Sequence, residues 1–265
     1  MSDFSNPQAY ETWMGRWSKR LAPLFLEFAD MNEPGRYLDV GSGTGMLSRC
    51  ILEEIDGSEV LGLEPSASYV AFARHKVPDP RATFKVGDAQ TIPFEDNYFD
   101  ASLALLVLQE IPDARKAVGE MHRVTRSGGC ITACQWDFVS GMPSLSYFWE
   151  AVSEILPEEQ AQKEAKKRVP TGYSDAQALA DLWTDLGHMN VETAQLEIRM
   201  EFVSFEDYWK PFLGGATPTS SYAMTLSDNL REALANRLRT RILGNGPDRP
   251  FSIPARALAV RGLVS

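Results

Sequence analysis

The sequence is poor in the features that mark several common classes of protein. It has no apolar run long enough to span a membrane, and residues 1–10 lack the basic and apolar regions of a secretory signal. Its 3 cysteines (Cys50, Cys130 and Cys134) are too few and too unevenly spaced for a disulfide framework. Its 3 histidines have no partner at metal-binding spacing. These absences predict a cytoplasmic protein without a metal site and without a membrane partner.

Basic charge is also scarce. The chain has 26 Lys and Arg residues against 36 Asp and Glu residues, which gives a formal net charge of −10. A nucleic-acid binder needs a basic surface to displace counterions, so we expect no nucleic-acid partner. The basic run over 163–168 lies beside Glu158, Glu159 and Glu164, which indicates a solvated helix face. The sequence carries no signal for an oligomeric state.

The most informative stretch is RYLDVGSGTGML, which begins at Arg36. An apolar run over 36–40 is typical of a buried parallel strand. The alternating glycines Gly41, Gly43 and Gly45 let the backbone turn tightly and approach a ligand. Thr44 is then expected to cap a helix that ends near residue 54. A strand that leads into a helix through glycines predicts a nucleotide site at the carboxyl end of a parallel sheet.

The spacing of these glycines indicates which nucleotide is bound. A dinucleotide fingerprint requires a small residue at the position of Met46, which is too large for it. The pattern G-x-G-x-G preceded by Asp39 resembles motif I of the class I S-adenosylmethionine-dependent methyltransferases. On this motif alone, the turn of a flavodoxin-like protein or of a short-chain dehydrogenase remains an alternative.

Two later strands are predicted to end in acidic residues. The strand over 59–63 leads to Glu64, at about the distance from the glycines where a carboxylate accepts the ribose hydroxyls in dinucleotide folds. The strand over 82–86 is followed by Asp88, which can accept from an adenine amino group, and by Ala89, whose backbone can donate.

The next segments make the resemblance specific. A near-continuous apolar run over 100–108 predicts a central strand buried on both faces, a helix opens at Pro112 and Asp113, and 130–136 predicts the fifth strand. The patterns G-D-A-x-x-I-P-F-x-D-x-x-F-D and E-M-x-R-V-T-R-S-G-G resemble motifs II and III of small-molecule methyltransferases grouped with the ubiquinone and biotin-precursor enzymes. This methyltransferase type 11 module covers about residues 36–136.

The resemblance implies an α/β, Rossmann-like fold. Its seven-stranded sheet has the order 3-2-1-4-5-7-6, with the last strand antiparallel, and helical cap insertions accompany it. We expect a single domain over 1–265. Within it, 1–33 form an N-terminal helical lid, 36–140 the cofactor-binding core, and 141–171 and 205–246 the cap insertions.

The resemblance also implies S-adenosyl-L-methionine as the cofactor. The residues expected to contact it are Tyr10, Arg16, Asp39, Gly41, Ser42, Gly43, Gly45, Glu64, Pro65, Ser66, Asp88, Ala89, Leu105 and Leu106. For Tyr10 and Arg16, packing of a helix on the sheet remains an alternative. Many family members have a histidine at the end of strand four, but this chain has Gln109 and Glu110 there. These two residues and Tyr222 are the candidates for a base or a positioning group.

The predicted reaction is in-line transfer of a methyl group to a small-molecule acceptor. An aromatic-rich cap favours an apolar or planar acceptor, although the same residues could simply pack on the core. A non-catalytic sensor or regulatory protein of the same fold is an alternative. An NAD-dependent oxidoreductase is disfavoured by Met46 and by the lack of a Tyr-x-x-x-Lys pair, and a DNA adenine methyltransferase by the sequence LLVL after strand four.

Overall fold

The structure is a computed structural model that describes residues 7–166, 173–214 and 218–265. The chain is organised around one seven-stranded sheet. The strands are β1 (Arg36–Val40), β2 (Glu59–Glu64), β3 (Ala82–Val86), β4 (Phe99–Leu105), β5 (Thr125–Trp136), β6 (Met189–Phe202) and β7 (Phe251–Leu263). Their order in the sheet is β3-β2-β1-β4-β5-β7-β6. Strand β7 pairs antiparallel with both of its neighbours, and the other pairs are parallel. The predicted order and orientation are therefore confirmed.

Helices cover both faces of the sheet. They are α1 (Pro7–Tyr10), α2 (Arg16–Ala29), α3 (Met46–Glu54), α4 (Ala67–Lys76), α5 (Ala114–Val124), α6 (Pro143–Ile155), α7 (Glu158–Lys166), α8 (Ala176–Asp185), α9 (Phe205–Trp209), α10 (Pro218–Thr225) and α11 (Asp228–Leu243). Buried side chains of α2, α3, α4 and α6 share one hydrophobic cluster, whereas those of α5 and α8 belong to a second cluster. Residues 1–6, 167–171 and 215–217 of the predicted lid and caps lie outside the described residues.

The parallel strands all end at one edge of the sheet, which we call the carboxyl edge. The register pairs Val40 of β1 with Leu63 of β2, and Glu64 of β2 with Val86 of β3. Residues that follow these strands therefore meet at this edge, as expected for ligand-binding loops of an open α/β sheet.

The N-terminal segment contains a proline inside a helix. Helix α2 runs through Pro23, and the irregular turn lies earlier, as a π-helical segment over Glu11–Gly15. Pro23 is exposed, and Leu21 and Phe25 on either side are buried against the sheet. This packing holds the helix together although proline removes one hydrogen bond.

Two predictions near the glycine turn are wrong. Thr44 does not cap α3, because Gly45 occupies the N-cap position with a φ of 83° and has no side chain that could accept a hydrogen bond. The apolar run over 100–108 does not form one strand, because β4 ends at Leu105 and Leu106 has a φ of 60°. A leucine rarely adopts this left-handed conformation, so the turn is imposed by the surrounding packing.

Strand β5 begins before its predicted start at residue 130 and therefore includes the glycines of the segment 127–129. It starts at Thr125, whose hydroxyl lies 2.6 Å from that of Ser102 and donates to the carbonyl of Met121. Phe99 pairs with Thr125, and the register then shifts between Phe99 and Ala101. The glycines are accommodated by this irregularity within the strand, as at a β-bulge.

Candidate functional site

The glycine turn follows β1 at the carboxyl edge and is tied to β2. Gly41, Gly43 and Gly45 have φ values of 66°, 52° and 83°. The backbone N–H groups of Gly41 and Ser42 donate to the carbonyl of Leu63 at 2.7 and 3.1 Å. The left-handed conformation at all three alternating positions explains the spacing of the glycines.

Each glycine also meets a different environment. A Cβ on Gly41 would lie 2.3 Å from Cγ2 of Val107, and one on Gly45 would lie 3.1 Å from Cζ of Phe84. Among the described residues, a Cβ on Gly43 would have only the carbonyl oxygen of Gly41 within 4 Å, at 3.9 Å. Gly41 and Gly45 are therefore needed for packing, whereas Gly43 leaves the backbone of the turn open on one side.

Glu64 lies beside the open glycine. Its carboxylate accepts from the N–H of Gly43 at 3.1 Å and from the N–H of Ser66 at 3.0 Å. Burial raises the pKa of Glu64, although these two backbone hydrogen bonds act in the opposite direction. The side chain is thus held at the end of β2 in contact with the turn that follows β1. Pro65 next to it is exposed, and the Ser66 hydroxyl lies 2.9 Å from that of Ser68.

Asp88 lies at the end of β3, the next strand outward. Its carboxylate is exposed and accepts from the backbone N–H of Gln90 at 2.8 Å and from the Gln90 side-chain amide. Ala89 beside it is buried. Glu64 and Asp88 therefore follow adjacent strands at the same edge, as their positions after strands predict.

Asp39 is directed away from this edge, into the sheet–helix interface. Its Oδ2 accepts from the backbone N–H and from the hydroxyl of Ser48 in α3, at 3.0 and 2.6 Å. Burial raises the pKa of Asp39 to about 7, against the effect of these hydrogen bonds. The contacts of Asp39 anchor α3 to β1, and its expected contact with the cofactor stays a prediction.

Ser42 also has a buried side chain. Its hydroxyl has no hydrogen-bond partner in the described part of the chain, and a Cβ on Gly62 would lie 2.8 Å from it. The hydroxyl therefore lies over β2, where only a glycine leaves room for it.

The chain after β4 forms the next part of the edge. The N–H of Leu106 donates to the carbonyl of Cys134 at 2.7 Å, and a 3-10 turn follows over Leu108–Glu110. Leu105, Leu106 and Gln109 are half-buried, and Glu110 is exposed. The strained Leu106 thus brings this loop over the glycine turn, where Val107 meets Gly41.

Tyr10 of the N-terminal segment lies above the same edge. Its ring meets that of Tyr69 in α4 edge-on, with the ring centroids 6.0 Å apart. Burial raises the pKa of Tyr10; a hydrogen bond with Ser18 lowers it, and the nearby charges of Glu11, Glu110 and Glu64 raise it further. The structure therefore brings Tyr10 of the N-terminal segment to Tyr69 of α4, although the two are distant in sequence.

Arg16 has a different partner from the one expected. Its Nη1 lies 2.9 Å from Oδ1 of Asp207 in α9, and its guanidinium lies over the rings of Trp17 and Phe202. Nε and Nη2 are buried and have no hydrogen-bond partner among the described residues. The observed ion pair joins the N-terminal segment to the cap, so the contact of Arg16 with a cofactor stays a prediction.

Tyr222, the third candidate for a base, lies in the cap. Its ring centroid lies 5.0 Å from that of Trp149. The same region contains a stacked pair, Phe148 and Phe212, at 4.9 Å, and Trp13 meets Phe212 edge-on at 5.0 Å. The aromatic side chains expected in the cap thus form one continuous set of ring contacts.

Two residues of the site were not identified from the sequence. Tyr69 is buried, and its hydroxyl has no hydrogen-bond partner among residues 7–166, 173–214 and 218–265. Trp136, at the end of β5, has a buried indole N–H that likewise lacks a partner there. Their position in sequence was a usable signal, since Tyr69 lies in the helix that follows Glu64 and Trp136 ends a predicted strand.

The described residues contain no group of three or more His, Cys, Asp and Glu side chains arranged to hold a metal ion. Among the helices of these same residues, none has both the length and the apolar character needed to cross a bilayer.

Comparison with known proteins agrees with this geometry. Residues 38–133 match the profile of a family described as "Methyltransferase domain". The chain is 30% identical over 164 residues to 2-methyl-6-phytyl-1,4-hydroquinone methyltransferase of Arabidopsis thaliana, covering 62% of this chain and 47% of that protein. It is 34% identical over 123 residues to demethylmenaquinone methyltransferase of Thermus thermophilus, covering 46% and 54%. The chain thus spans about half the length of these curated relatives.

A solved structure extends the similarity to the whole fold. Phosphoethanolamine N-methyltransferase 2 of Haemonchus contortus, in complex with phosphomonomethylethanolamine and S-adenosylhomocysteine, superposes with a TM-score of 0.59. The match covers 98% of this chain and 58% of that one, at 20% identity. The chain therefore has the class I methyltransferase fold.

Proposed function

We propose that the protein is an S-adenosylmethionine-dependent methyltransferase of a small, planar and largely apolar acceptor. The proposal starts from the match of residues 38–133 to the methyltransferase-domain family. The observation that carries the proposal is the contact between Gly43 and Glu64. It places a buried carboxylate beside the one glycine of the turn whose Cβ position is open. The relatives with this domain are named as methyltransferases, which favours an enzyme over a non-catalytic sensor.

The residues at the carboxyl edge fit the parts of this cofactor. Glu64 suits the two ribose hydroxyls, because a carboxylate has two oxygens that can each accept a hydrogen bond. The open side of Gly43 allows a ligand to approach the backbone closely. The Tyr69 hydroxyl, buried without a partner among the described residues, supplies a polar group next to Glu64 and Tyr10. Asp88 and Ala89 on the adjacent strand suit the adenine ring.

When bound, S-adenosylmethionine supplies an electrophilic methyl group on a sulfonium. The protein then has to hold the acceptor in line with that methyl and keep water out of the site. Tyr10 and Tyr69 cover the edge above β2, and the aromatic set of the cap covers the region beyond it. In this proposal, these side chains exclude water from the site of methyl transfer.

The base, if the acceptor needs one, comes from Gln109, Glu110 or Tyr222 in this proposal. Glu110 can accept a proton, and its charge is close enough to raise the pKa of Tyr10. Gln109 can only position an acceptor, because an amide does not take up a proton at neutral pH. Tyr222 adjoins the aromatic set and would contact the acceptor itself.

Calorimetry and turnover test the proposal together. We expect S-adenosylmethionine and S-adenosylhomocysteine to bind in the micromolar range that is usual for enzyme ligands, roughly 1 μM to 1 mM, and NAD not to compete. Incubation with methyl-labelled cofactor and a panel of quinols, phenols, amines and thiols should transfer label to a quinol or phenol. Absence of cofactor binding, or tighter binding of NAD, would overturn the proposal. Binding without transfer to any acceptor would instead support a sensor.

A further inference from the structure

Trp136 has an unusual environment for a buried tryptophan. It is 3% exposed, and its Nε1 is buried without a hydrogen-bond partner among the described residues. The similarly buried Trp183 donates from Nε1 to the carbonyl of Ile131 at 3.0 Å, and the hydroxyl of Tyr208 donates to the carbonyl of Ser144 at 2.8 Å. An unsatisfied buried donor destabilises a fold, and a ligand or an ordered water that accepts from it removes this cost.

The position of Trp136 in the sheet indicates which ligand that is. Glu64 and Asp88 follow β2 and β3, so under the proposed function the nucleoside lies toward that side of the sheet. The reactive end of the cofactor must then lie toward β1 and β4. The next strand in the order is β5, and Trp136 is its last residue. Trp136 is thus on the side from which the acceptor approaches.

The register of β4 and β5 also places Trp136 at the carboxyl edge of the sheet. Leu105, the last residue of β4, pairs with Cys134 of β5, and Trp136 lies two residues further on. Residues two apart in a strand share a face, and Cys134 and Trp136 both belong to the hydrophobic cluster that contains Phe148 and Phe212. The indole therefore lies at the carboxyl edge, on the face of the sheet that carries this cluster.

We propose that the indole N–H of Trp136 donates a hydrogen bond to an oxygen atom on the ring of the methyl acceptor. This inference rests on the proposed function and specifies the acceptor as an aromatic hydroxyl or carbonyl compound, such as a phenol or a hydroquinone. The indole N–H is only a donor, and a protonated amine also offers only donors, so the two cannot pair. The cluster to which Trp136 belongs is apolar, and the neighbouring buried carboxylate of Asp137 is already paired with Arg256, so these groups favour an uncharged acceptor over an ammonium group.

The six tryptophans of the chain provide the measurement. The six indole N–H signals of the 15N-labelled protein, saturated with S-adenosylhomocysteine, are followed while 1-naphthol, 2-methyl-1,4-naphthoquinone, naphthalene or protonated 1-aminomethylnaphthalene is added. We expect the two oxygen-bearing probes to shift the Trp136 signal downfield and to leave the Trp183 signal in place. Assignment from through-space contacts in the wild-type protein makes this result independent of whether a variant folds.

A matched pair of variants gives the energetic test. Trp136→Phe should weaken 1-naphthol binding about fivefold, the equivalent of a net hydrogen bond of about 1 kcal/mol, and leave naphthalene binding unchanged. Trp183→Phe is the control and should change neither affinity.

The outcomes separate this inference from the proposed function. If S-adenosylhomocysteine binds but no oxygen-bearing probe binds or moves the Trp136 signal, the inference is wrong and the methyltransferase assignment stands. Equal losses of 1-naphthol and naphthalene affinity in Trp136→Phe would also overturn it, since they indicate packing alone. Failure of S-adenosylhomocysteine to bind the wild-type protein overturns the proposed function itself.

Discussion

Val107 packs directly against Gly41, although one follows β4 and the other follows β1. A Cβ on Gly41 would lie 2.3 Å from Cγ2 and 2.8 Å from Cβ of Val107. This contact joins the glycine turn to the loop that begins at the strained Leu106. The two loops at the centre of the carboxyl edge therefore behave as one packed unit.

The first prediction concerns the two glycines with different surroundings. Gly41→Ala should lower the midpoint of thermal unfolding more than Gly43→Ala does. Both positions have positive φ, which costs roughly 1–2 kcal/mol for an L residue, but only Gly41 also meets Val107. Gly43→Ala should instead lower the affinity for S-adenosylhomocysteine, because its methyl group enters the open side of the turn.

A double variant checks the cause of this difference. Val107→Ala should restore part of the stability lost in Gly41→Ala and none of that lost in Gly43→Ala. Equal unfolding midpoints for the two glycine variants would contradict the packing argument.

The second prediction ranks the two acidic residues at the edge. Glu64→Ala should weaken cofactor binding more than Asp88→Ala, as measured by calorimetry on variants whose folding has been verified. Glu64 is expected to accept from two ribose hydroxyls, each a charge-assisted bond of roughly 1.5–3 kcal/mol before water compensates. Asp88 is expected to make one bond to the adenine amino group. Glu27→Ala, on the exposed side of α2, is the control for lost charge. A larger effect at Asp88 would refute the assignment.

The third prediction uses two buried tyrosines. Tyr69→Phe should leave the unfolding midpoint nearly unchanged, because its hydroxyl has no partner among the described residues, and should weaken S-adenosylhomocysteine binding about fivefold. Tyr208→Phe should lower the unfolding midpoint, because it removes the hydrogen bond to Ser144. It should leave S-adenosylhomocysteine binding nearly unchanged, because Tyr208 lies in the cap. If both variants lose stability and neither loses affinity, Tyr69 is only a packing residue.

The fourth prediction concerns pH and stability. Burial raises the pKa of Asp39 to about 7, so the folded state holds its proton more tightly than the unfolded state, and this contribution to stability is lost as the pH rises from about 4 to 7. Burial and the nearby His122 lower the pKa of His188 to about 4, and His188 lies 3.0 Å from His122. The stability that His188 contributes is lost as the pH falls from 6.5 to about 4. The contributions of Asp39 and His188 to the free energy of unfolding therefore change in opposite directions with pH.

Single variants should expose each trend in denaturant unfolding measured between pH 4 and 7. Asp39→Asn removes the contribution of Asp39 and leaves that of His188. The free energy of unfolding should then rise with pH by up to about 1.4 kcal/mol per pH unit. His188→Gln removes the contribution of His188 and leaves that of Asp39, so the free energy of unfolding should fall with rising pH. Parallel pH profiles for the wild-type protein and both variants would show that neither group titrates in this range.

The fifth prediction tests the lid. The ring centroids of Trp13 and Phe212 lie 5.0 Å apart, and Arg16 forms an ion pair with Asp207. Because these contacts join the N-terminal segment to residues 205–213, both segments should gain protection from amide exchange together when S-adenosylhomocysteine is added. Trp209, half-buried beside Phe212, should follow them. Trp13 and Phe212 are already buried. If both segments exchange as slowly as β4 in the free protein, they are fixed packing and not a lid.

The sequence, together with the resemblance that its motifs carry, was sufficient to predict the order of the strands and the strand ends at which Glu64 and Asp88 lie. The apolar runs and the residues that end them predicted β1 to β3 with Glu64 and Asp88 at their ends, and the strand order implied by the resemblance is confirmed. This succeeds because parallel strands end at a common edge, so that residues far apart in the chain become neighbours once the strands are assigned. Local pattern and chain direction contain that information.

Only the tertiary structure decided which side chains meet. Leu106 continues the apolar pattern of β4, yet its backbone turns because packing places Val107 on Gly41. Arg16 and Asp207 pair across 191 positions, and no local pattern specifies that contact. Whether the N–H of Trp136 finds an acceptor likewise depends on the packing around it, and in the part of the chain that the structure describes it finds none. Periodicity records whether a residue is buried, whereas the identity of its partner depends on how separate helices and strands pack against one another.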